Sequence, residues 1–400
     1  MTVGPAEARR LSWAQVRARR LAWHGLAEPL KGAGPADVAS AMAGTHAQMM
    51  SAAELGIALR MDGATRADVR EAVWGEHSLI KTFGPRGTVH LLPARELPMW
   101  VGALSALPRP SSPHADGVRM APEQSEQVIA AVGDALRDAE LTIDELTEEV
   151  VARTGPWAGD LVMPAFQGMW PRWRQSMHEA GIRGLLCFGA GRGRKVTYTS
   201  PRRFLPGFAA EEPEAALRGV VRSYLRAYGP STPQRFAHWL NAPATWASEL
   251  FASLEAELER VEVEGVDAPQ WLAPDASASA FAVPRPRDVA ADVPRGVRLL
   301  PYFDVYAYRV GNQPPALLYP GRASERVLRG NFQVLLVDGE VAGLWHQRRS
   351  GRRIEVTVEP LAPLSRARRS ALDDQVARVG EILEARPTLT IGEVTVGGHA

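Results

Sequence analysis

The feature that most constrains the fold of this 400-residue chain is an order of elements that occurs three times. Each round begins with helical segments and then turns to short β-type runs. In the first round, the runs at residues 79–83 and 88–92 flank the turn-forming sequence GPRG at residues 84–87. Helices followed by such a hairpin are typical of a winged-helix unit, so we expect three of these units in tandem.

Capping signals mark the predicted helix starts. A serine or threonine followed three residues later by a side chain that can accept a hydrogen bond predicts a capping box. The pairs with this spacing are Ser12 with Gln15, Ser51 with Glu54, Thr65 with Asp68, and Thr142 with Glu145. Thr232 before Pro233 predicts a further helix start. One more helix is predicted to carry Met169, Trp173 and Met177.

The predicted fold class is α+β. The second hairpin is expected around the glycine- and arginine-rich loop at residues 189–195, and the third round ends with a strand that begins near Val261. Later segments show mainly the β pattern. The predicted strands there are residues 297–301, 333–337, 341–346, 354–358 and 389–394, and one helix is predicted at residues 365–383. The predicted divisions are winged-helix units at residues 1–115, 116–210 and 211–294, and a β-rich region at 295–400.

Composition excludes several classes of protein. No run of about 18 apolar residues occurs, so no membrane-spanning segment and no membrane partner are expected. Nothing near Met1 resembles a signal peptide. Cys187 is the only cysteine, which excludes intramolecular disulfides and cysteine-based zinc sites. We therefore expect a cytoplasmic protein, and the histidine spacing gives no support for a metal site.

The net charge is +1, but the cations are unevenly placed. Local basic loops in a nearly neutral chain suit a protein that presents one face to nucleic-acid phosphates. The alternative is that these arginines are ordinary solvated surface. The candidate phosphate-contacting residues are Arg86 in the first hairpin, Arg192, Arg194 and Lys195 in the second, and Arg348, Arg349, Arg352 and Arg353 in a C-terminal hairpin.

One short polar motif is a candidate for chemistry. His46 and Gln48 are two residues apart, just ahead of a predicted helix start. If this segment is extended, both side chains project to the same side, where they can hold a water and accept its proton. The alternative is a loop that merely carries polar residues. His90 is predicted to be a half-buried structural strand histidine, and Asp304 to cap a turn rather than to serve a site.

Six stretches resemble one family in the order of their motifs. They are Leu11–Leu26, Gly44–Gln48, Arg86–Leu92, Tyr228–Thr232, Leu299–Tyr308 and Val334–Val358. Together they are similar to the AlkZ/YcaQ family of bacterial winged-helix DNA glycosylases. The resemblance implies three tandem winged helices in a C-shape around a DNA channel, and hydrolysis of the N-glycosidic bond of alkylated purines. Its AlkZ branch implies self-resistance by removal of bulky or crosslinking adducts from guanine N7.

The family's catalytic motif is Gln-aliphatic-Gln, and the matching positions here are His46, Ala47 and Gln48. Alkylation at N7 already makes guanine a good leaving group, so a held water is sufficient as nucleophile. We expect His46 to orient this water and Gln48 to position it and stabilise the sugar cation. The expected enzyme is a monofunctional monomer without metal or cofactor, and its partner is double-stranded DNA that contains alkylated guanine.

Two other functions stay open at this point. A winged-helix regulator would bind a specific DNA sequence and release no base, although three units in one chain argue against a simple dimeric repressor. A catalytically inactive binder would shield adducts without removing them. Because a histidine stands where the family has glutamine, we also hypothesise that His46 adapts the site to a bulky adduct that does not crosslink the strands.

Overall fold

The computed structural model describes residues 9–108, 114–165, 168–274, 295–307, 314–328 and 332–395. Helices alternate with three three-stranded sheets and one two-stranded sheet, and a five-stranded sheet follows them. The predicted α+β class, with helical units that each carry a hairpin and with a β-rich C-terminal region, is confirmed. None of the described helices is both long enough and apolar enough to cross a membrane.

The first unit has a sheet in the order β2-β4-β3. Its elements and the strand that precedes them are β1 (Arg9–Leu11), α1 (Trp13–Trp23), α2 (Pro35–Ala41), β2 (Thr45–His46), α3 (Met50–Ala58), α4 (Arg66–Trp74), β3 (Leu79–Phe83), β4 (Val89–Pro93) and α5 (Leu97–Ser105). The predicted capping boxes at Ser12 and Thr65 are both present and begin α1 and α4. The short edge strand β2 carries His46 of the candidate motif, and Gln48 follows it.

The second unit has its own apolar core and two hairpins. Its elements are α6 (Pro122–Leu136), β5 (Leu141–Thr142), α7 (Ile143–Thr154), β6 (Leu161–Ala165), β7 (Gly168–Pro171), α8 (Met177–Ile182), β8 (Cys187–Phe188) and β9 (Thr197–Thr199). The strands β5, β9 and β8 form one sheet, and β6 and β7 form a separate two-stranded sheet. Thr142 begins α7 with the predicted capping box.

The third unit is completed by the N-terminal strand. Its elements are α9 (Pro213–Tyr228), α10 (Pro233–Leu240), α11 (Ala244–Ser253), β10 (Glu259–Val263) and β11 (Val266–Leu272). Thr232 accepts a hydrogen bond from the backbone N–H of Arg235 and so caps α10, as predicted. Strand β1 lies parallel to β10. The first described residues therefore belong to the sheet of the third unit and not to the sheet of the first unit.

The C-terminal region is a sheet whose strands follow one another in chain order. Its elements are β12 (Val297–Leu300), α12 (Pro315–Leu318), α13 (Arg322–Arg326), β13 (Gln333–Val337), β14 (Glu340–Ser350), β15 (Arg353–Pro360), α14 (Arg366–Ile382) and β16 (Arg386–Ile391). Neighbouring strands are antiparallel except β15 and β16, which are parallel because α14 crosses between them. The last strand begins and ends three residues earlier than predicted.

Two local predictions are wrong. Ser51 does not cap a helix, because α3 already begins at Met50 with Met49 as its N-cap. The carboxylate of Glu54 is almost fully buried and binds the Arg70 guanidinium through two contacts, of 2.7 and 3.1 Å, instead of closing a capping box. The predicted helix through Met169, Trp173 and Met177 is wrong at its start, because Met169 lies in strand β7, which ends at Pro171. Trp173 lies in a short 3-10 helix and Met177 begins α8.

Candidate active site on strand β2

The motif around His46 is held in an extended conformation by backbone pairing with the first hairpin. His46 lies opposite His90 in the antiparallel register of β2 and β4. The next amide, of Ala47, donates a 2.7 Å hydrogen bond to the Val89 carbonyl. Gly44 makes this approach possible, because it has φ +90° and a Cβ atom there would lie 2.9 Å from the Leu92 side chain.

Two histidine rings meet at this edge. The ring centroids of His46 and His90 are 5.4 Å apart, with an angle of 79° between the ring planes. His90 Nδ1 lies 2.8 Å from the Thr88 carbonyl oxygen, which can only accept, so this nitrogen carries the proton. His90 is fully buried rather than half-buried, and Gly84 packs so closely that a Cβ atom there would lie 2.8 Å from its ring.

A second ring beside His46 comes from an aromatic residue of the C-terminal region. The ring of Phe303 lies 4.9 Å from that of His46, centroid to centroid. Phe303 has φ +59°, an uncommon conformation for a bulky residue that costs about 1–3 kcal/mol and persists only where the surroundings enforce it. Asp304 follows it and caps the turn as predicted, because its carboxylate accepts a 3.1 Å hydrogen bond from the backbone N–H of Tyr306. The same carboxylate is buried in an ion pair with Arg60, next to Phe303.

The environment keeps the histidine pair neutral. Burial, with a smaller contribution from the charge of Arg86, lowers the pKa of His46 to about 4. Burial and the same arginine also hold the pKa of His90 well below its ordinary value. His46 retains 8% of its surface area exposed, so it is largely but not completely closed to solvent. A neutral imidazole of this kind can accept a hydrogen bond or a proton near pH 7.

Gln48 has a different environment from His46. It lies at a bend after β2 and ahead of the first residue of α3, Met50, and its side chain is exposed. The motif therefore presents one buried and one exposed polar side chain at the start of a helix, where backbone N–H groups give a partial positive charge.

Arg86 is half-buried and not at an open tip. Its guanidinium donates a 2.8 Å hydrogen bond to the carbonyl oxygen of Trp239, in α10 of the third unit. Its backbone has φ +61°, which directs the chain through the tight turn between β3 and β4. The predicted contact of Arg86 with DNA stays a prediction, while the structure gives this residue a role in joining the first hairpin to α10.

The cations of the second hairpin are partly neutralised. Arg192 makes two contacts, of 2.9 and 2.7 Å, with the carboxylate of Glu145, and Lys195 lies 2.9 Å from Asp144. Both carboxylates belong to the first turn of α7. Arg194 is exposed and forms no ion pair within the part of the chain that the structure describes.

The C-terminal hairpin brings its four predicted arginines together at one end of the sheet. Arg348, Arg349, Arg352 and Arg353 are all exposed around the turn between β14 and β15. Arg349 is anchored, because it donates to the carbonyl oxygens of Gly351 at 3.0 Å and Leu383 at 2.9 Å. Arg386, which the sequence did not single out, lies beside Arg353 in the parallel register of β15 and β16.

Among the described residues, no three or more histidine, cysteine, aspartate or glutamate side chains are grouped so that they could bind a metal ion.

A family model described as DNA glycosylase AlkZ-like matches residues 39–382 of the chain. The chain belongs to the AlkZ-like family of DNA glycosylases. It is 31% identical over 387 residues to an interstrand DNA cross-link repair glycosylase of Streptomyces sahachiroi. The matched region covers 92% of this chain and 95% of that protein. The solved structure of the Streptomyces sahachiroi DNA glycosylase AlkZ is similar with a TM-score of 0.75 and 27% identity, over 96% of this chain and 100% of that one.

Membership of the AlkZ-like family confirms the resemblance drawn from the six sequence stretches, and with it the prediction of a DNA glycosylase that acts in DNA repair. Two residues that contact His46 in the candidate site were missed as site residues. His90 follows an ordinary strand alternation, and Phe303 lies 257 positions after His46 with no local signal of its conformation. The aromatic sequence LPYFD at residues 300–304 was the one available hint.

Proposed function

We propose that this AlkZ-like glycosylase hydrolyses the N-glycosidic bond of bulky N7-alkylguanine adducts, such as natural-product lesions, in duplex DNA. The observation that supports this most is the neutral, largely buried His46 with Gln48 exposed two residues later. The name of the Streptomyces relative, an interstrand cross-link repair glycosylase, supports interstrand crosslinks as a second class of substrate.

The proposed reaction uses water as its nucleophile. The alkylated guanine carries a positive charge and leaves without protonation, while the sugar gains oxocarbenium character at C1′. His46 accepts a hydrogen bond from the attacking water, then takes its proton as the new C–O bond forms. The amide oxygen of Gln48 faces the developing sugar cation and stabilises it. His90 keeps the ring of His46 in place.

No covalent intermediate is part of this proposal, because the leaving group is already activated. The proposed enzyme is therefore monofunctional. We further propose that it works as a monomer and needs neither a metal nor a cofactor. Arg194 and the four arginines of the C-terminal hairpin are proposed to contact phosphates, since they are exposed cations on projecting hairpins. Borohydride added during turnover should trap no protein–DNA adduct, and trapping of one would contradict the monofunctional assignment.

The decisive experiment is incubation with a duplex that carries one N7-alkylguanine adduct, followed by mass detection of the released base. His46→Ala and Gln48→Ala should each lower single-turnover excision at least 100-fold, as loss of a general base does, while DNA affinity stays within about threefold. His346→Ala, at a half-buried strand histidine, and Gln234→Ala, at an exposed glutamine in the first turn of α10, are the matched controls. Wild-type protein that binds the duplex and releases no base would instead be a regulator or an inactive binder.

A further inference from the structure

The hairpin formed by β6 and β7 carries apolar side chains on its outer surface. Leu161 is 65% exposed, Met169 is 45% exposed and Trp170 is 41% exposed. In the part of the chain that the structure describes, these two strands pair with each other and with no other strand. Projecting apolar side chains of this kind mark interaction sites, because soluble proteins otherwise cover them.

The base of this hairpin is firmly attached to the second unit. The guanidinium of Arg172 donates to the carbonyl oxygens of Gly117 at 2.9 Å and Val118 at 2.8 Å. Trp173 follows directly and is fully buried in the core of the unit, where its Nε1 donates to Thr147 at 3.1 Å. The hairpin is therefore a fixed projection whose exposed residues are held out from a packed core.

A cation accompanies the exposed aromatic ring. The guanidinium carbon of Arg174 lies 3.8 Å from the ring centroid of Trp170. Among the described residues Arg174 forms no ion pair, and its buried Nε atom has no hydrogen-bond partner. Burial lowers the pKa of this guanidinium, since its charge is partly desolvated. An anionic group brought close to Arg174 would supply the missing counter-charge.

The charge pattern of the segment selects among partners. From Leu161 to His178 the sequence contains Arg172 and Arg174 and no acidic residue. Arg172 is already paired with Asp160 at the base of the hairpin, at 3.3 Å, so Arg174 is the cation that needs a counter-charge. A purely apolar protein surface would cover Trp170 but leave Arg174 without a counter-ion. Nucleic acid supplies both requirements, because bases stack on aromatic and apolar side chains while phosphates pair with the adjacent guanidinium. Apolar side chains can also enter between base pairs and unstack them.

We propose that the β6–β7 hairpin is a DNA wedge, in which Met169 and Trp170 stack against bases of the duplex and Arg174 pairs with a phosphate. This inference rests on the DNA substrate of the proposed function and extends it. Local unstacking would open the duplex around a bulky adduct and so give the water at His46 access to C1′ without extrusion of the whole adduct.

The test uses an undamaged duplex that contains 2-aminopurine, whose fluorescence rises when it is unstacked. Wild-type protein should raise the emission, whereas Trp170→Ala should abolish the rise and weaken binding roughly tenfold, as expected for loss of one stacked base. Trp170→Phe, which keeps an aromatic face, should retain most of the signal. Ile391→Ala is the matched control, because Ile391 is a comparably exposed apolar strand residue in the C-terminal sheet, and it should behave as wild type.

Unchanged affinity and unchanged emission with Trp170→Ala would overturn the wedge. A change in sedimentation alone would also overturn it and assign the hairpin to contact with a second protein. If Trp170→Ala lowers the melting temperature, Met169→Ser replaces it at the neighbouring exposed position and should weaken binding and emission in the same direction. No adduct is present in this assay, so its result is independent of whether base release, which tests the proposed function, succeeds.

Discussion

Arg60 and Asp304 form a buried, two-contact ion pair that joins the two walls of the candidate site. Their nitrogen–oxygen distances are 2.8 and 2.9 Å, and the Arg60 side chain is fully inaccessible to solvent. Arg60 lies just beyond α3, the helix that follows Gln48, and Asp304 follows Phe303, whose ring covers His46. The pair therefore ties the helix that follows the candidate motif to the segment that carries Phe303.

Replacement of Asp304 by asparagine should destabilise the fold strongly. The variant leaves the Arg60 charge buried without a counter-charge, and removal of one partner of such a pair costs about 3–5 kcal/mol. Urea unfolding measures this as a loss in the free energy of unfolding. Asp373→Asn breaks an exposed contact with Arg369 and should cost no more than about 1 kcal/mol. A similar small loss in Asp304→Asn would contradict the structural role of the pair.

Acid should destabilise the protein through its buried histidines. Burial, with the charge of Arg60 as the next cause, lowers the pKa of His24 to about 3, and burial lowers that of His46 to about 4. Below about pH 6.5 these two histidines bind protons in the unfolded chain but stay unprotonated in the folded protein. The stability from each group is therefore complete above pH 6.5 and is lost as the pH falls toward its folded pKa.

Each such histidine contributes a slope of up to about 1.4 kcal/mol per pH unit within its window. The free energy of unfolding in urea should be measured at pH 7.5, 6.0 and 5.0 for wild type and for His46→Gln. Because glutamine does not titrate, the variant should show the shallower decline. Equal slopes in both proteins would show that His46 is not held neutral by the fold.

Removal of the aromatic cover should let water reach His46 and raise its pKa. In Phe303→Ala the imidazole loses a neighbour that excludes solvent, so its pKa should move from about 4 toward the ordinary value of 6.5. Histidine Cε1–H resonances followed by NMR titration report this directly, and His46→Gln assigns the signal. Phe204→Ala removes a ring stacked 3.9 Å from His77 and is the matched control. A His46 titration that is the same in both variants would exclude Phe303 as its shield.

Local signals in the sequence predicted most of the helices and the hairpin of each unit, because caps and turns are determined by neighbouring residues. They missed the β6–β7 hairpin, where a helix through Met169 was expected. Thr65 with Asp68 forms the predicted capping box, yet Ser51 with Glu54 has the same spacing and does not. The difference is tertiary, since Arg70 from α4 captures the Glu54 carboxylate. The approach of Phe303 to His46 and the pairing of β1 with β10 likewise depend on contacts between distant segments, which no local pattern encodes.

The acidic turn of α7 should weaken the interaction of the second hairpin with DNA. Arg192 is paired with Glu145, so Glu145→Gln should release this cation for phosphate contact, while the glutamine still satisfies the capping box with Thr142. Affinity should rise in this variant and the plot of log K against log salt concentration should steepen. Arg194→Ala should act in the opposite direction and reduce the slope by about 0.9. Fluorescence anisotropy at several salt concentrations measures the affinity and its salt dependence. Equal slopes for the wild type and the two variants would show that the second hairpin does not contact DNA.

His46→Gln introduces the glutamine that the family resemblance implies at this position, and it should separate two properties of the site. The longer amide is more flexible than an imidazole packed between His90 and Phe303, and it cannot take a proton from water. We expect slower excision of a bulky single-strand adduct, loss of the acid limb of the pH–rate profile near pH 4, and a relative gain in release from interstrand crosslinks. Single-turnover rates should be measured on both substrates, and the ratio of the single-strand-adduct rate to the crosslink rate should be compared between the variant and the wild type. If that ratio equals the wild-type value, the histidine is not an adaptation to adducts that leave the strands uncrosslinked.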